Sequence, residues 1–257
     1  MAASSVTLVA VPGLPLVQPG DDLAALIAAA IRAAGLVVRD RDVLVVAQKI
    51  VSKAEGRIVE LAAVTPSPRA RELARAVNKD PRLVEIILAE STEVVRYRRD
   101  VLIVAHRLGF VMANAGVDQS NVEQGDGAGR VLLLPRDPDG SCADLKRLLE
   151  AEFGVRLGIV INDSFGRAWR NGVVGVALGA AGLPSLVDMV GEPDLFGRTL
   201  RVTQIAFADE IAAAASLVMG QAAERQPVVL VQGLDWGERG EAPARALLRP
   251  RELDLFR

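Results

Sequence analysis

Apolar positions along the chain follow two rhythms, and each change of rhythm marks an element. Val6 to Val11 is a short apolar run that stops at the turn Pro12-Gly13-Leu14-Pro15. After it, Leu23, Leu26, Ile27, Ala30 and Ile31 recur at the three- and four-residue spacing of a helix buried on one side, with Asp21 or Asp22 as its cap and Gly35 as its end. Val43 to Ala47 is an unbroken apolar run, the pattern of a strand covered on both faces, and polar Gln48 to Arg57 follows it. Ser67-Pro68 and Asp80-Pro81 each join a side chain able to accept from first-turn amides to a proline whose missing N–H costs nothing there. Each predicts a helix start.

Three runs, Glu93 to Tyr97, Val101 to Ala105 and Phe110 to Ala113, predict an antiparallel meander turning at Arg98 to Asp100 and at Gly109. Beyond the loop Asn114 to Arg130 come a strand, Val131 to Leu134, a helix capped by Ser141 and closed near Gly154, and a strand, Leu157 to Ile161. The glycine-spaced run Gly172 to Gly179, a helix from Asp209 to Met219 and a strand Val228 to Val231 complete the pattern. A meander beside alternating strands and helices predicts an α+β fold with mixed and antiparallel sheets. Neither a long linker nor a repeat divides residues 1–257, so the expectation is one domain of two intimately packed α+β subdomains.

Composition narrows the partners. Hydrophobic residues make up 51% and charged residues 24%, the balance of an ordered globular chain, and 30 basic against 32 acidic residues leave a net charge of -2 with no basic stripe for nucleic acid. The apolar run Leu26 to Ala34 is short and interrupted by Arg32, whereas a bilayer needs about 20 apolar residues, so no membrane span is expected. A lone cysteine, Cys142, and an N-terminus without a secretory pattern point to the cytoplasm. With one histidine, His106, and one cysteine, a zinc site of the Cys/His kind cannot be built in one subunit. Any metal must be held by oxygen, which suits Mg²⁺ or Mn²⁺. His106 and Cys142 both read as structural.

Four clusters carry candidate chemistry, and each admits a plainer reading. In Asn114-Ala-Gly-Val-Asp118-Gln-Ser-Asn121, one helical turn would set Asp118 and Asn121 on one face to hold a cation and a phosphate or base edge, or the two side chains satisfy their own turn. At the end of the apolar strand, Asn162-Asp163-Ser164-Phe165-Gly166-Arg167 brings a carboxylate, a hydroxyl and a guanidinium together, as metal-phosphate sites do, although arginines also serve as surface charges. The turn Gly13-Leu14-Pro15-Leu16 and Ser52-Lys53 can bind phosphate through amides and an ammonium, but neither spacing is a Walker loop. Gly125 to Arg130 reads as a phosphate cradle or as a glycine-rich hairpin loop.

In combination these segments resemble the coenzyme F420-0:L-glutamate ligase family. The resemblance rests on Gly13 to Leu16 with Gly20-Asp21-Asp22, Ile50 to Arg57, Asn114 to Asp118 with Ser120-Asn121-Val122, Leu132 to Pro135, Asp163 to Arg167, Phe196-Gly197-Arg198, and Ala208-Asp209-Glu210 through Met219-Gly220, in family order. It implies a two-subdomain α+β fold, an intertwined homodimer, GTP bound without a Walker loop, two divalent cations (Mg²⁺ or Mn²⁺) and an effect of K⁺. It also implies the reaction: L-glutamate is joined to the terminal carboxylate of the coenzyme F420-0 precursor through an acyl phosphate. Carried over by position, Asp118 and Asp163 are metal ligands and Ser164 a ligand to the second metal. Gly13, Leu14, Pro15, Leu16, Gln48, Lys53 and Asn121 contact GTP, with Met219, Gly220 and Gln221 lending backbone nearby, and Lys53 and Arg167 balance developing charge. The chain departs from the family in having Ser164 for a frequent threonine, Ala168 for a common proline, and a longer Gly125 to Arg130 loop. A two-metal phosphohydrolase and a noncatalytic nucleotide-binding module are the competing readings.

Overall fold

A computed structural model describes residues 5–122 and 129–255. Its central sheet has five strands in the order β1, β12, β2, β8, β9. These are β1 (Thr7–Ala10), β2 (Asp42–Ala47), β8 (Leu157–Gly166), β9 (Val173–Ala181) and β12 (Val228–Gln232). Only the neighbours β2 and β8 run parallel; every other pairing in this sheet is antiparallel. A parallel neighbour needs a long crossover, and here the crossover carries most of a second packed unit.

The unbroken apolar run of β2 is explained by burial on both faces. Leu44 and Val46 pack with Leu23, Ile27 and Ile31 of α1 (Leu23–Ala33) and Leu145 and Leu149 of α5 (Pro138–Phe153). On the other face, Val43 and Val45 pack with Ile211, Ala212 and Ala215 of α6 (Phe207–Met219). The glycine-spaced run is strand β9, and its glycines permit close helix approach on opposite faces. A Cβ on Gly175 would run into the Ala212 backbone of α6, and one on Gly179 into the Pro138 backbone of α5.

Beside this sandwich lies a unit with its own core. Strands β4 (Ser91–Arg98), β5 (Val101–His106) and β6 (Val111–Ala113) form the expected meander, and α3 (Pro68–Val77) and α4 (Pro81–Ala89) pack on it through Leu73, Val77, Val84 and Ile87. Ser67 and Asp80 cap these helices through their side chains, with proline in the first turn of each, as the sequence predicts. Strand β3 (Ile58–Glu60) pairs with β7 (Arg130–Leu132), and β10 (Val187–Asp188) with β11 (Gln204–Ile205). The α+β class with mixed and antiparallel sheets stands, and among the described residues no helix is long and apolar enough to cross a membrane.

The polar stretch after β2, to which the sequence reading assigns no element, opens as a helix, α2 (Gln48–Ala54). Two local expectations are corrected. Helix α5 starts earlier than Ser141, because Asp137 accepts from the Gly140 amide and Pro138 occupies the first turn. Strand β8 runs on to Gly166, so Asp163 and Ser164 lie inside a strand rather than in a loop after one.

Candidate functional site

Strand polarity selects one edge of the central sheet. Because β2 and β8 run parallel, with Ala47 opposite Asn162, their carboxyl ends open together, the place where open α/β sheets receive ligands. The end of β1 arrives there too: Val11 N donates to Val228 O at 2.9 Å, and Ala47 N to Pro227 O at 2.8 Å. Gly13 takes a left-handed φ of 79°, Leu14 packs on the core and Leu16 points outward, 71% exposed. The loop after this turn rests on the end of α2, where Gly20 N donates to Ala54 O at 2.9 Å.

Helix α2 leaves this edge and presents Lys49 and Lys53 four residues apart, hence on one face. Lys49 Nζ pairs with Asp118 Oδ2 and donates to Ser120 Oγ at 2.6 Å and Ser120 O at 3.3 Å. Lys53 Nζ donates to Asn121 O at 2.8 Å. Asp118 itself is locked by a two-way bridge to Leu132 at the edge of β7, with N–H···O distances of 3.0 and 2.8 Å. The stretch after it is a turn, not a helix: Asp118 Oδ1 accepts from Ser120 N at 2.7 Å, and Asn121 has a φ of 55°. The plainer reading is met by Asp118, which caps its own turn while also reaching across to α2, but not by Asn121, whose side chain leaves the turn for Ala222 O. Burial pushes the Asp118 carboxyl up, but the hydrogen bonds from Lys49 and from the Ser120 amide and hydroxyl outweigh it and hold the group below its usual value.

The pleat of β8 divides the next two residues between its faces. Asp163 lies within electrostatic reach of Asp118 and Lys49. Burial pushes its carboxyl up to about 6, with the Asp118 charge adding to the rise and the Ser164 amide and Lys49 opposing it. Ser164 turns the other way, and its Oγ donates to Gln221 Oε1 at 2.7 Å, just past the end of α6. Asn162 Nδ2 donates to Ser216 Oγ at 3.0 Å and to Met219 Sδ at 3.4 Å, and Asn121 Nδ2 to Ala222 O at 3.3 Å. Asn121, Ser164, Met219, Gly220 and Gln221 are thus drawn together from three distant parts of the chain.

Other sequence candidates fall elsewhere. Gln48 is buried, 2% exposed, and its Oε1 accepts from Ser52 Oγ at 2.9 Å inside α2. Arg167 lies beyond β8 in the turn to β9, exposed, with Nη1 donating to Gly172 O at 3.4 Å. Gly125 to Ala128 lie outside the described residues. Lys49 is the residue that sequence reasoning missed, although its four-residue spacing from Lys53 was the available signal. Cys142 is fully buried, its thiol pushed well up by that burial, and His106 is buried beside Glu90, so both keep structural roles. Among the described residues no three His, Cys, Asp or Glu side chains gather as a metal-binding group; the carboxylates of this edge are the pair Asp118 and Asp163.

The profile of the F420-0:gamma-glutamyl ligase family matches residues 13–233, a span that contains Gly13, Lys49, Lys53, Asp118, Asn121, Asp163, Ser164 and Gln221. The chain belongs to that family. It is 49% identical over 253 residues to the coenzyme F420:L-glutamate ligase of Methanothermobacter thermautotrophicus, covering 98% of this chain and 99% of the relative. Identity to the proteins of the same name is 48% in Methanopyrus kandleri, over 94% of this chain and 93% of the relative, and 44% in Archaeoglobus fulgidus, over 96% and 94%. Within this ligase family the edge formed by β2, β8, α2 and the 118–121 turn is the candidate active site.

Proposed function

We propose that this ligase family member joins L-glutamate to the terminal carboxylate of coenzyme F420-0 with hydrolysis of GTP, through an acyl phosphate. The observation that carries the reading is the convergence of Asp118, Asp163, Ser164, Lys49 and Lys53 on one sheet edge, in a chain that matches glutamate ligases over nearly its whole length.

A carboxylate and an amine do not condense usefully at neutral pH. Transfer of the γ-phosphoryl group of GTP to the precursor carboxylate creates a leaving group, and the α-amino group of glutamate then attacks the acyl carbon and releases phosphate. Such chemistry asks the protein mainly for positioning and charge balance. Lys49 and Lys53 suit that demand as two ammonium groups on a single helix face. Ser164 and Gln221, with Asn121 tied to Ala222, form a polar border at the end of α6 that can hold a nucleotide.

The donor set fits hard divalent cations. Asp118 and Asp163 put two carboxylates within reach of one ammonium, and burial is the main cause of the rise of Asp163 to about 6, a cost that a bound cation would offset. Asp118 and Asp163 would hold Mg²⁺ or Mn²⁺, and Ser164 a second such ion, whose chemistry is to screen phosphate charge. Activity in the cytoplasm as a homodimer, with K⁺ assisting, belongs to the same proposal. A two-metal phosphohydrolase would use the same carboxylates but release GDP without glutamate.

The test is product analysis by mass spectrometry with purified protein, GTP, Mn²⁺, coenzyme F420-0 and L-glutamate. A glutamylated product is expected, with GDP release that requires both acceptor and amino acid. Steady GDP release in the absence of either one would turn the reading toward the hydrolase.

A further inference from the structure

The candidate site accounts for nucleotide and cations but leaves the amino acid without a place. A cavity of about 240 Å³ lies on the α5 face of β9. Phe110, Leu178 and Leu248 supply apolar walls, while Arg107, Arg245, Asp137 and Asp139 supply charge. Its volume is below the roughly 300–1,000 Å³ of pockets that take drug-sized ligands, so a nucleotide or a deazaflavin ring system does not fit. A single amino acid does.

The strand register ties this cavity to the site. Val176 pairs with Asp163, and Leu178, two residues further along β9, projects from the same face. On the other wall, Phe110 meets Phe165 edge-on, ring centroids 6.5 Å apart, and Phe165 follows Asp163 by two residues on the same face of β8. By strand geometry the cavity lies on the order of 10 Å from Asp163, about the span of one amino acid with its side chain.

The charges are held ready rather than floating. Asp139 is fixed by three backbone amides, of Ala180 at 3.0 Å, Ala244 at 2.7 Å and Arg245 at 3.3 Å, and Arg245 Nε leans on it at 3.3 Å while the rest of the arginine side chain is exposed. Arg107 is braced by Nε on Glu90 at 3.1 Å, and its Nη1 reaches Arg136 O at 3.4 Å. Each guanidinium carries five donors, so a bracing contact through Nε leaves others for a carboxylate. Two arginines match the two carboxylates of a dicarboxylic amino acid, while Asp137 stays engaged as the cap of α5 through the Gly140 amide at 3.2 Å and leaves the amino group free to face the site.

We propose that the Arg107–Arg245 cavity binds the incoming L-glutamate, with its amino end toward Asp163. This rests on the ligase reading above. The test is steady-state kinetics of Arg245→Ala and Arg245→Lys, varying L-glutamate and GTP separately. Arg245 is largely exposed, and Asp139 keeps its backbone donors without it, so both variants should fold, checked by melting curves. The expected result for Arg245→Ala is a KM for L-glutamate raised tenfold or more, with the KM for GTP within twofold and kcat within a few-fold; Arg245→Lys should recover part of the loss. An unchanged KM for glutamate in Arg245→Ala, or an equal rise in the KM for GTP, would overturn the assignment while leaving the ligase reading intact. Failure of the unaltered chain to ligate would remove that reading, and this inference with it.

Discussion

Asp163 carries a buried charge that costs the fold stability. Its carboxyl is raised from 3.8 to about 6 by burial first and by Asp118 second, so between those values the folded chain binds more protons than the unfolded one. Stability therefore falls as pH rises through that window, and the loss is complete above it. Asp163→Asn removes the buried charge yet keeps an oxygen to accept from Ser164 N, now at 2.8 Å. In a chelator at pH 7 the variant should gain about 2 kcal/mol, or about 4–8 °C in Tm for a chain of this size, while losing ligation. The gain should vanish near pH 4. An equal gain at both pH values, or none, would contradict the electrostatic account. Asp118 and Asp163 enter as candidates through resemblance, and the structure brings both within reach of Lys49, a partner that the sequence reading does not name. The four-residue spacing of Lys49 and Lys53 is a signal only if the stretch is helical, and the polar run after β2 carries no cap or apolar stripe to say so. Gln48 shows the reverse: the same helical turn that exposes Lys49 sends Gln48 inward onto Ser52.

Elements are joined by one buried ionic knot. Glu90 ends α4, His106 ends β5, Arg57 precedes β3, and Arg107 follows β5. His106, Arg57 and Arg107 hold the Glu90 carboxyl down to about 2 against the opposing effect of burial. The imidazole contact is long at 3.5 Å, so the guanidiniums at 2.9 and 3.1 Å are the firmer restraints. His106 Nδ1 accepts from Leu108 N at 2.9 Å, which leaves the proton on Nε2, facing Glu90. A depressed carboxyl contributes stability that is present above its unfolded value and lost as pH falls through the folded one. Melting temperature should therefore drop between pH 5 and pH 2, with up to about 3 kcal/mol of that from Glu90. Glu90→Gln leaves Arg57 buried without its counter-charge, should cost about 2–4 kcal/mol at pH 7, and should flatten the acid decline. Parallel melting curves for the two proteins across that range would remove Glu90 from the account. This knot was not legible beforehand, since its members are 33 and 17 residues apart. The helices capped by Ser67 and Asp80 and the three-strand meander were legible, because caps, proline and alternation act over a few residues.

On the scale of the whole molecule, one edge joins segments from most of the chain. That edge gathers the ends of β1, β2 and β8, the start of α2, the bridge from Asp118 to β7, and the residues after α6. Anything bound there spans segments far apart in sequence, so it ties the central sheet to the unit of β3 and β7 and stabilises the folded state by mass action. If cations held by Asp118 and Asp163 connect the phosphates of GDP to the protein, GDP with Mn²⁺ at about 100 times its Kd should contribute about 2.7 kcal/mol, and each kcal/mol should raise Tm by about 2–4 °C. GDP in a chelator should do little, since two lysines already engaged with Asp118 and Asn121 then face the phosphates alone. ADP with Mn²⁺ should give a smaller shift, because guanine and adenine present opposite hydrogen-bonding groups at the six-position and a mismatched polar edge loses binding energy. Asp163→Asn should remove most of the GDP shift even though the variant itself starts more stable, which separates loss of binding from loss of fold. Thermal melts of both proteins with GDP or ADP, each with Mn²⁺ or a chelator, decide the matter. Equal stabilisation by the two nucleotides, or a full GDP shift in the chelator, would defeat the metal-bridged site.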